Sequence, residues 1–351
     1  MAYSMTPTIR ITSKEESQQL MAVWPDIIRD IKEAVENFDI PDVAKWLKKL
    51  LQYNVPQGKK NRGLGLVYTY KFLVPSDQLT EENIRLARIL AWCMELMQAS
   101  FFIVDDIEDQ SLFRRDQPCW YRYNDLGLVA INDSFILLSS IFYLIRKHFK
   151  GKDCYVNLLE TFQDTIMKTA IGQSLDLFSN FNRPNLNLFT TNQYNSIIEF
   201  KTAYYSTCLP VAMHLAGIKD QEMFREATTI LIEIGCLFQI QDDYLDCYGD
   251  QVCGKNKTDI QEGKCTWFIV EALQRVTPQQ RKILEECYGT LDREKVQRVK
   301  QLFNDLNLLD AYFRCEEETY NLINVHIKQI SSGLPHNIFF DILKKFYHRM
   351  S

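Results

Sequence analysis

The chain has 351 residues, 46% of them hydrophobic, enough to bury a large core. Its 40 Lys and Arg against 45 Asp and Glu leave a net charge of −5, so the overall balance gives no reason to expect nucleic-acid binding. Ten cysteines lie scattered with no CxxC pair, which argues for reduced core thiols rather than a disulfide frame or zinc site.

Met1–Ser13 carries one Arg, several Ser and Thr and no acid, a faint transit-peptide flavour. We expect a flexible N-terminus over residues 1–14, then one all-helical domain over 15–351 in a cytoplasmic protein, with a mitochondrial form kept open. Glu15–Asn37 is amphipathic, with Leu20, Val23, Ile27, Ile28, Ile31 and Val35 near one side. Val43–Tyr53 reads as a second helix, and the loop Asn54–Gly58 leads into the basic patch Lys59-Lys60-Asn61-Arg62. Glu81–Phe113 is a long apolar-faced helix, followed by Leu128–Lys147, Val156–Phe178, Gln193–Leu215 and Gln221–Tyr248. Gly249–Lys257 is a polar loop. From Asp259 onward, four or five shorter helices are punctuated by Pro278, Gly289 and Gly333-Leu334-Pro335. Gly and Pro are sparse, no stretch alternates like a strand, and no apolar run reaches membrane-spanning length. The class is all-α, with about a dozen helices at typical helix length.

Two acidic clusters stand out. Asp105-Asp106-Ile107-Glu108-Asp109 and Asp242-Asp243-Tyr244-Leu245-Asp246 each place carboxylates at i, i+1 and i+4. At ~100° per residue each trio covers one arc of a helix. Gln98, Phe101 and Phe102 lie below the first trio, and Gly235, Phe238 and Gln239 below the second. A lone cluster of this kind is as easily a solvated helix face. Two copies beside apolar walls repel internally and lose hydration, so they call for cations; hard divalent metals with diphosphate as co-ligand fit that need.

Protein cations are available. Arg114-Arg115 follows the first trio, Lys59–Arg62 follows the loop containing Gly58, and Lys201 sits among apolar and aromatic neighbours. Lys255 and Lys264 flank the loop after the second trio. Singly, each is more often a surface charge; as a set they point to two phosphate-bearing ligands.

The motifs GKKNRG (58–63), DDIEDQSLFRRDQPCWYR (105–122), IGQSLDL (171–177), FKTAYYS (200–206), FQIQDDYLDCYGD (238–250) and GKNKTDIQEGKCTW (254–267) together resemble animal-type farnesyl diphosphate synthases of the trans-isoprenyl diphosphate synthase superfamily. The resemblance runs from about Lys48 to Lys345. It implies a bundle of long helices around a central cavity, usually a homodimer, joining an allylic diphosphate (dimethylallyl or geranyl) to isopentenyl diphosphate to give farnesyl diphosphate. It implies magnesium, with manganese able to substitute, held directly by Asp105, Asp109 and Asp242, with Asp106, Asp243 and Asp246 supporting. Arg114, Lys201, Lys255 and Lys264 match the allylic diphosphate binders, and Gln173 and Asp176 match residues reaching into the cavity near the metals. Lys59, Arg62 and Arg115 match the isopentenyl diphosphate binders, with Gln98 beside them. The resemblance places the allylic cation near the Thr202 hydroxyl, the Lys201 carbonyl and the Gln239 side chain.

The chain departs from that pattern in places. Ser100 and Phe101 stand where animal synthases usually carry two Phe that limit product length, so we expect a roomier allylic pocket that still makes farnesyl-length product and tolerates branched substrates. Asp116 and Lys257 each replace a usual Gly, Gly263 replaces an Asn, and the C-terminus His348-Arg349-Met350-Ser351 is less basic than usual. Two other readings stay open. A terpene synthase acting on one prenyl diphosphate would need no isopentenyl site, whereas Lys59, Arg62, Gln98 and Arg115 are all present. A modulatory subunit of another prenyl synthase would be expected to lose metal ligands, whereas both trios are intact.

Overall fold

Local caps start the two helices that carry the acidic trios. Thr80 accepts the Asn83 N–H at 3.2 Å and opens α4 (Glu81–Glu108). Asp220 accepts the Glu222 N–H at 2.9 Å and opens α10 (Gln221–Cys247). Each cap satisfies donors that would otherwise be orphaned at a helix start. The computed structural model describes residues 14–36, 40–181, 183–206, 208–249, 258–331 and 333–347. Residues 1–13, Lys255, Lys257 and residues 348–351 lie outside the described residues, and with them the expectations placed there.

Ahead of α4 come α1 (Lys14–Glu36), α2 (Pro41–Asn54) and α3 (Asn61–Leu73). The sequence reading saw only a basic patch where α3 begins. After α4 come α5 (Ala130–Phe149), α6 (Tyr155–Asn180) and α7 (Thr191–Ile198). The π-helical turn Glu199–Ala203, α8 (Tyr204–Ser206) and α9 (Leu209–Leu215) follow before α10. The C-terminal part holds α11 (Asp259–Glu262), α12 (Trp267–Arg275), α13 (Pro278–Cys287), α14 (Arg293–Asp305), α15 (Leu308–Gln329) and α16 (His336–Phe346). The fold is all-α, as expected, and the strands among the described residues are one two-stranded hairpin.

Three boundaries differ from the sequence reading. First, α4 stops at Glu108 rather than running to Phe113, because Gln110 turns left-handed (φ 52°) and the Ser111 N–H bonds back to the Asp106 carbonyl at 2.9 Å. Phe113–Arg114 then pairs antiparallel with Gln117–Pro118. The two turn residues, Arg115 and Asp116, have φ of 55° and 61°. Positive φ at both is the mark of a type I′ hairpin turn, where Asp is tolerated and Arg costs about 1–2 kcal/mol. Second, the expected single helix Gln193–Leu215 is divided: α7 runs through the π-helical turn into α8 as far as Ser206, and a separate α9 starts at Leu209 with Pro210 in its first turn. Third, six helices rather than four or five follow Asp259, and α15 spans 22 residues.

The buried apolar residues form three clusters. One joins α1 to α6, with Trp24 and Trp92 rings 4.4 Å apart. A second gathers Trp267, Phe268 and Tyr312 among α12–α15. The third seats α3, α9, α10 and α16 through Tyr68, Leu209, Ile234 and Phe339. Each large buried side chain contributes about 1.5–3 kcal/mol by leaving water. The nine described cysteines are all free.

Contrary to the sequence expectation, two stretches, Glu81–Glu108 and Gly127–Phe149, are long and apolar enough to cross a membrane by length and composition. In α4 that apolar character is spent on the core, with 83% of the window buried; in the second stretch only 44% is buried. Leu128, Ile131 and Phe135 on and just before α5, and Met167, Ile171 and Phe178 on α6, stay exposed at helical spacing.

Candidate active site

The first acidic trio divides by burial. Asp106 is 3% exposed and accepts from Arg114 Nε at 2.9 Å and Arg114 Nη2 at 2.5 Å. Asp105 and Asp109 are half-buried at the rim. Arg114 Nη2 reaches Asp105 Oδ2 at 3.0 Å, and Lys201 Nζ lies 3.2 Å from Asp105 Oδ1 and 2.5 Å from Asp176 Oδ2. Gln173 Nε2 donates to Asp105 Oδ1 at 3.4 Å and to Glu108 Oε2 at 2.6 Å. Lys264 pairs with Asp109 and, at 3.2 Å, with Glu262. Arg114, Gln173, Asp176 and Lys201 thus meet around Asp105.

The electrostatics follow from this packing. Burial works to raise the Asp105 carboxyl, but Lys201, Lys264 and Arg114 outweigh it and hold it well below the usual carboxylate range. At Asp109 burial wins over Lys264, and the carboxyl is pushed up to about 6. Burial pulls against the charge on Lys201, yet Asp176 and Asp105 more than compensate and keep its ammonium protonated.

The second trio divides the same way. Asp243 is 4% exposed and accepts from Tyr194 OH, the Trp267 N–H (both 2.8 Å) and Gln239 Nε2 (2.9 Å). Burial still pushes its carboxyl up to about 7. Asp246 accepts the backbone N–H groups of Thr258 (3.3 Å) and Asp259 (3.2 Å), fastening the start of α11. Asp242 is half-buried on α10. Thr202 donates its hydroxyl to Gln239 Oε1 at 2.9 Å, so Thr202, Gln239 and Asp243 form one hydrogen-bonded chain.

The π-helical turn is what brings Lys201 and Thr202 here. It is pinched between two glycines. A Cβ on Gly172 of α6 would lie 2.1 Å from Lys201 N, and one on Gly235 of α10 would lie 2.8 Å from Ala203 Cβ. No side chain fits either gap without a shift of backbone.

A second cationic group gathers beside α3, next to the first. Arg62 donates to Ser206 Oγ at 2.7 Å and stacks 4.2 Å over the Tyr205 ring. Arg115 donates to the Gln57 carbonyl at 2.6 Å. Phe102 carries both arginines, Arg114 at 4.4 Å and Arg115 at 5.4 Å from its ring centre. Lys59 is exposed on the approach to α3, and Gln98 is buried on α4. Lys345 of α16 donates to Asn61 Oδ1 at 2.9 Å and, with Arg62 and Ser206, lines a cavity otherwise walled by apolar residues such as Leu231, Ile234, Phe238 and Ile342.

Ser100 is buried and hydrogen-bonded to Ser134 of α5 (Oγ to Oγ 2.8 Å), pointing away from the acidic rim as its helix position predicts. Phe101 meets Tyr205 edge-on, ring centres 5.6 Å apart. Gly263 closes α11 at φ 69°, and a Cβ there would lie 2.2 Å from Pro184 Cγ, so the Asn usual at this place would collide.

Asp105, Asp109 and Asp242 are oxygen donors of the kind hard divalent cations take. Among the described residues no three acidic, His or Cys groups gather about one point, and Lys201, Lys264 and Arg114 lie against the carboxylates instead. The donor chemistry fits such a cation; binding one requires those side chains to give way.

Sequence reasoning missed Glu108, Tyr194, Trp267 and Lys345, whose roles come from partners 24 to 284 residues away. It also missed Glu95, although a signal existed: Glu95 is the one acid between Glu82 and Asp105, and the one polar residue of the run 89–97.

Comparison with known proteins agrees with this geometry. Residues 44–306 match the polyprenyl synthetase family model. The chain is 49% identical over 340 residues to a farnesyl pyrophosphate synthase of Murgantia histrionica, covering 96% of this chain and 83% of that one. It is 43% identical over 344 residues to the Gallus gallus farnesyl pyrophosphate synthase, covering 97% and 94%. A solved structure of T. brucei farnesyl diphosphate synthase complexed with risedronate superposes with a TM-score of 0.88 at 29% identity, over 96% of this chain and all of that one. With rim carboxylates, paired cations and helical frame all in agreement, the chain belongs to the polyprenyl synthetase family.

Proposed function

We propose that the protein is a farnesyl diphosphate synthase, condensing isopentenyl diphosphate with dimethylallyl and then geranyl diphosphate. One observation carries this reading. Arg114 and Arg115 are adjacent in sequence yet diverge, Arg114 to the carboxylate rim and Arg115 to the Gln57–Gly58 loop near α3. Two separate cationic groups suit two diphosphate substrates; a synthase acting on one prenyl diphosphate needs only the first.

In this proposal Arg114, Lys201 and Lys264 bind the allylic diphosphate and neutralise the charge that develops as its C–O bond breaks. A divalent cation, magnesium or in its place manganese, held by Asp105, Asp109 and Asp242, would supply further positive charge to the departing diphosphate. Asp106 and Asp243 are committed to protein donors and orient their neighbours. The Thr202 hydrogen points at Gln239, so its oxygen lone pairs are free to face the allylic cation. Arg62 and Arg115 hold isopentenyl diphosphate while its double bond attacks, and its proton leaves with the released diphosphate. Phe101 and Tyr205 help keep water from the cation.

The exposed stripes on α5 and α6 support a homodimer as part of the proposal, since apolar area of that kind is normally covered. A single catalytic domain from residue 15 onward and a cytoplasmic location complete it, the latter supported by the free cysteines. The test is mass spectrometry of products formed from isopentenyl diphosphate, each allylic primer and magnesium. Farnesyl diphosphate from both primers is expected. A hydrocarbon or alcohol from farnesyl diphosphate alone would overturn the reading, as would an inactive homomer.

A further inference from the structure

α3 begins without a cap of its own. Its N-cap residue, Lys60, is left-handed (φ 51°) and supplies no side-chain acceptor. The acceptor comes from another helix: Glu95 of α4 takes the Gly63 N–H on Oε1 at 2.9 Å. Gly63 allows this approach, since a Cβ there would lie 3.1 Å from the Ala91 carbonyl and 3.3 Å from Glu95 Oε1. Glu95 is only 3% exposed. A buried carboxylate is costly unless hydrogen-bonded and matched by cations.

Of the cations around it, Arg62, Arg115 and Lys345 belong to the second group described above, and Lys60 adjoins them. Lys60 donates to the Pro56 and Gly58 carbonyls at 3.1 and 2.9 Å, which folds the loop under α3. Arg115 lies against that loop, and a Cβ on Gly58 would come within 2.6 Å of its guanidinium carbon. Arg62 leaves the same first turn of α3 toward Ser206. Burial pushes the Glu95 carboxyl above its usual range, and the Gly63 N–H, Arg62, Arg115 and Lys60 pull it back toward the charged form; Lys60, Arg115 and Lys345 in turn feel its charge. Without that charge these cations would only repel one another.

We propose that Glu95 is a positioning residue for the second substrate: its buried carboxylate holds the first turn of α3 and the Lys60, Arg62 and Arg115 cations in register for the diphosphate of isopentenyl diphosphate. Glu95 touches no reacting atom. This rests on the two-substrate reading given above.

The test is steady-state kinetics of Glu95→Gln on the intact enzyme, with each substrate varied in turn. The amide still offers Gly63 an acceptor but carries no charge. The expected result is a rise of about tenfold in KM for isopentenyl diphosphate, with KM for geranyl diphosphate within about twofold of the parent. Glu95→Asp, which keeps the charge, should recover part of the loss. An unchanged or lowered KM for isopentenyl diphosphate overturns the proposal, since the carboxylate would then be neutral or merely repulsive to the anion. Equal rises in both KM values also overturn it, as the signature of general loosening. If Glu95→Gln does not fold, Glu95→Asp carries the test: withdrawing the carboxylate from the Gly63 N–H should raise KM for isopentenyl diphosphate more than KM for geranyl diphosphate, and equal or unchanged values overturn the proposal. A parent enzyme that makes no farnesyl diphosphate would instead sink the two-substrate reading itself.

Discussion

Gly172→Ala tests how the π-helical turn at Glu199–Ala203 is held. The new Cβ would lie 2.1 Å from Lys201 N, 2.4 Å from Phe200 C and 2.6 Å from Lys201 Cα, all backbone atoms that cannot rotate aside. Ordinary contact begins at 3.4 Å, so the turn must retreat by about 1.3 Å. Overpacking of this kind costs about 1–3 kcal/mol, against about 1 kcal/mol gained by Ala over Gly within α6. The net loss of stability is therefore about 2 kcal/mol at most, a few degrees in Tm. The loss of activity should be much larger. The same retreat carries Lys201 from Asp105 and Asp176, and Thr202 from Gln239, and a misplacement near 1 Å is worth about 100-fold in rate. Thermal melting and the initial rate of farnesyl diphosphate formation, measured on the same preparation, separate the two effects. Gly235→Ala, whose Cβ meets the Ala203 side chain at 2.8 Å, should be milder. A Gly172→Ala enzyme as active as the parent would refute the idea that this close approach places Lys201.

Other outcomes follow from single contacts. Burial lowers the Lys345 ammonium to about 8, so above that pH the folded protein binds fewer protons than the unfolded chain, and stability gains with rising pH until the unfolded lysine also loses its proton. Lys345→Met should therefore melt above the parent at pH 7, with the difference shrinking toward pH 10; a constant difference would contradict the burial cost. Tyr194→Phe removes one of the donors to buried Asp243 and should cost about 1–3 kcal/mol in denaturant unfolding, with a neutral result showing the remaining donors to suffice. Ser100→Phe must displace the Ser134 contact between α4 and α5, costing about 1–3 kcal/mol. It should also accept branched allylic analogues less well than the parent, and equal acceptance would end the roomier-pocket hypothesis. Gly263→Asn should lower Tm through its collision with Pro184; an unchanged Tm would mean that Pro184 yields freely.

The all-α class, both acidic trios and their partner Arg114 were legible because each rests on short-range spacing; Lys264, 155 residues from Asp109, was assigned to the site from the family resemblance instead. Carboxylates at i, i+1 and i+4 share an arc wherever the helix is placed, and Arg114 follows Asp105 closely enough to fold back onto it. The π-helical turn at Glu199–Ala203 was not legible. Its own residues contain no Gly or Pro, and its close approaches are to Gly172 and Gly235, on helices before and after it.

The amino-acid sequence alone thus determined which charged groups are candidates for the site: six aspartates, the arginine pair, Lys201 and Lys264. Only the tertiary structure decided which of them are spent on the fold. Asp106 and Asp243 look the same as their neighbours in sequence, yet they are buried and saturated by Arg114 in one case and by Tyr194, Gln239 and the Trp267 N–H in the other. Helical periodicity places a side chain on an arc. Whether that arc meets solvent or another helix depends on partners tens to hundreds of residues away, such as Glu95 against Gly63 and Lys345 against Asn61.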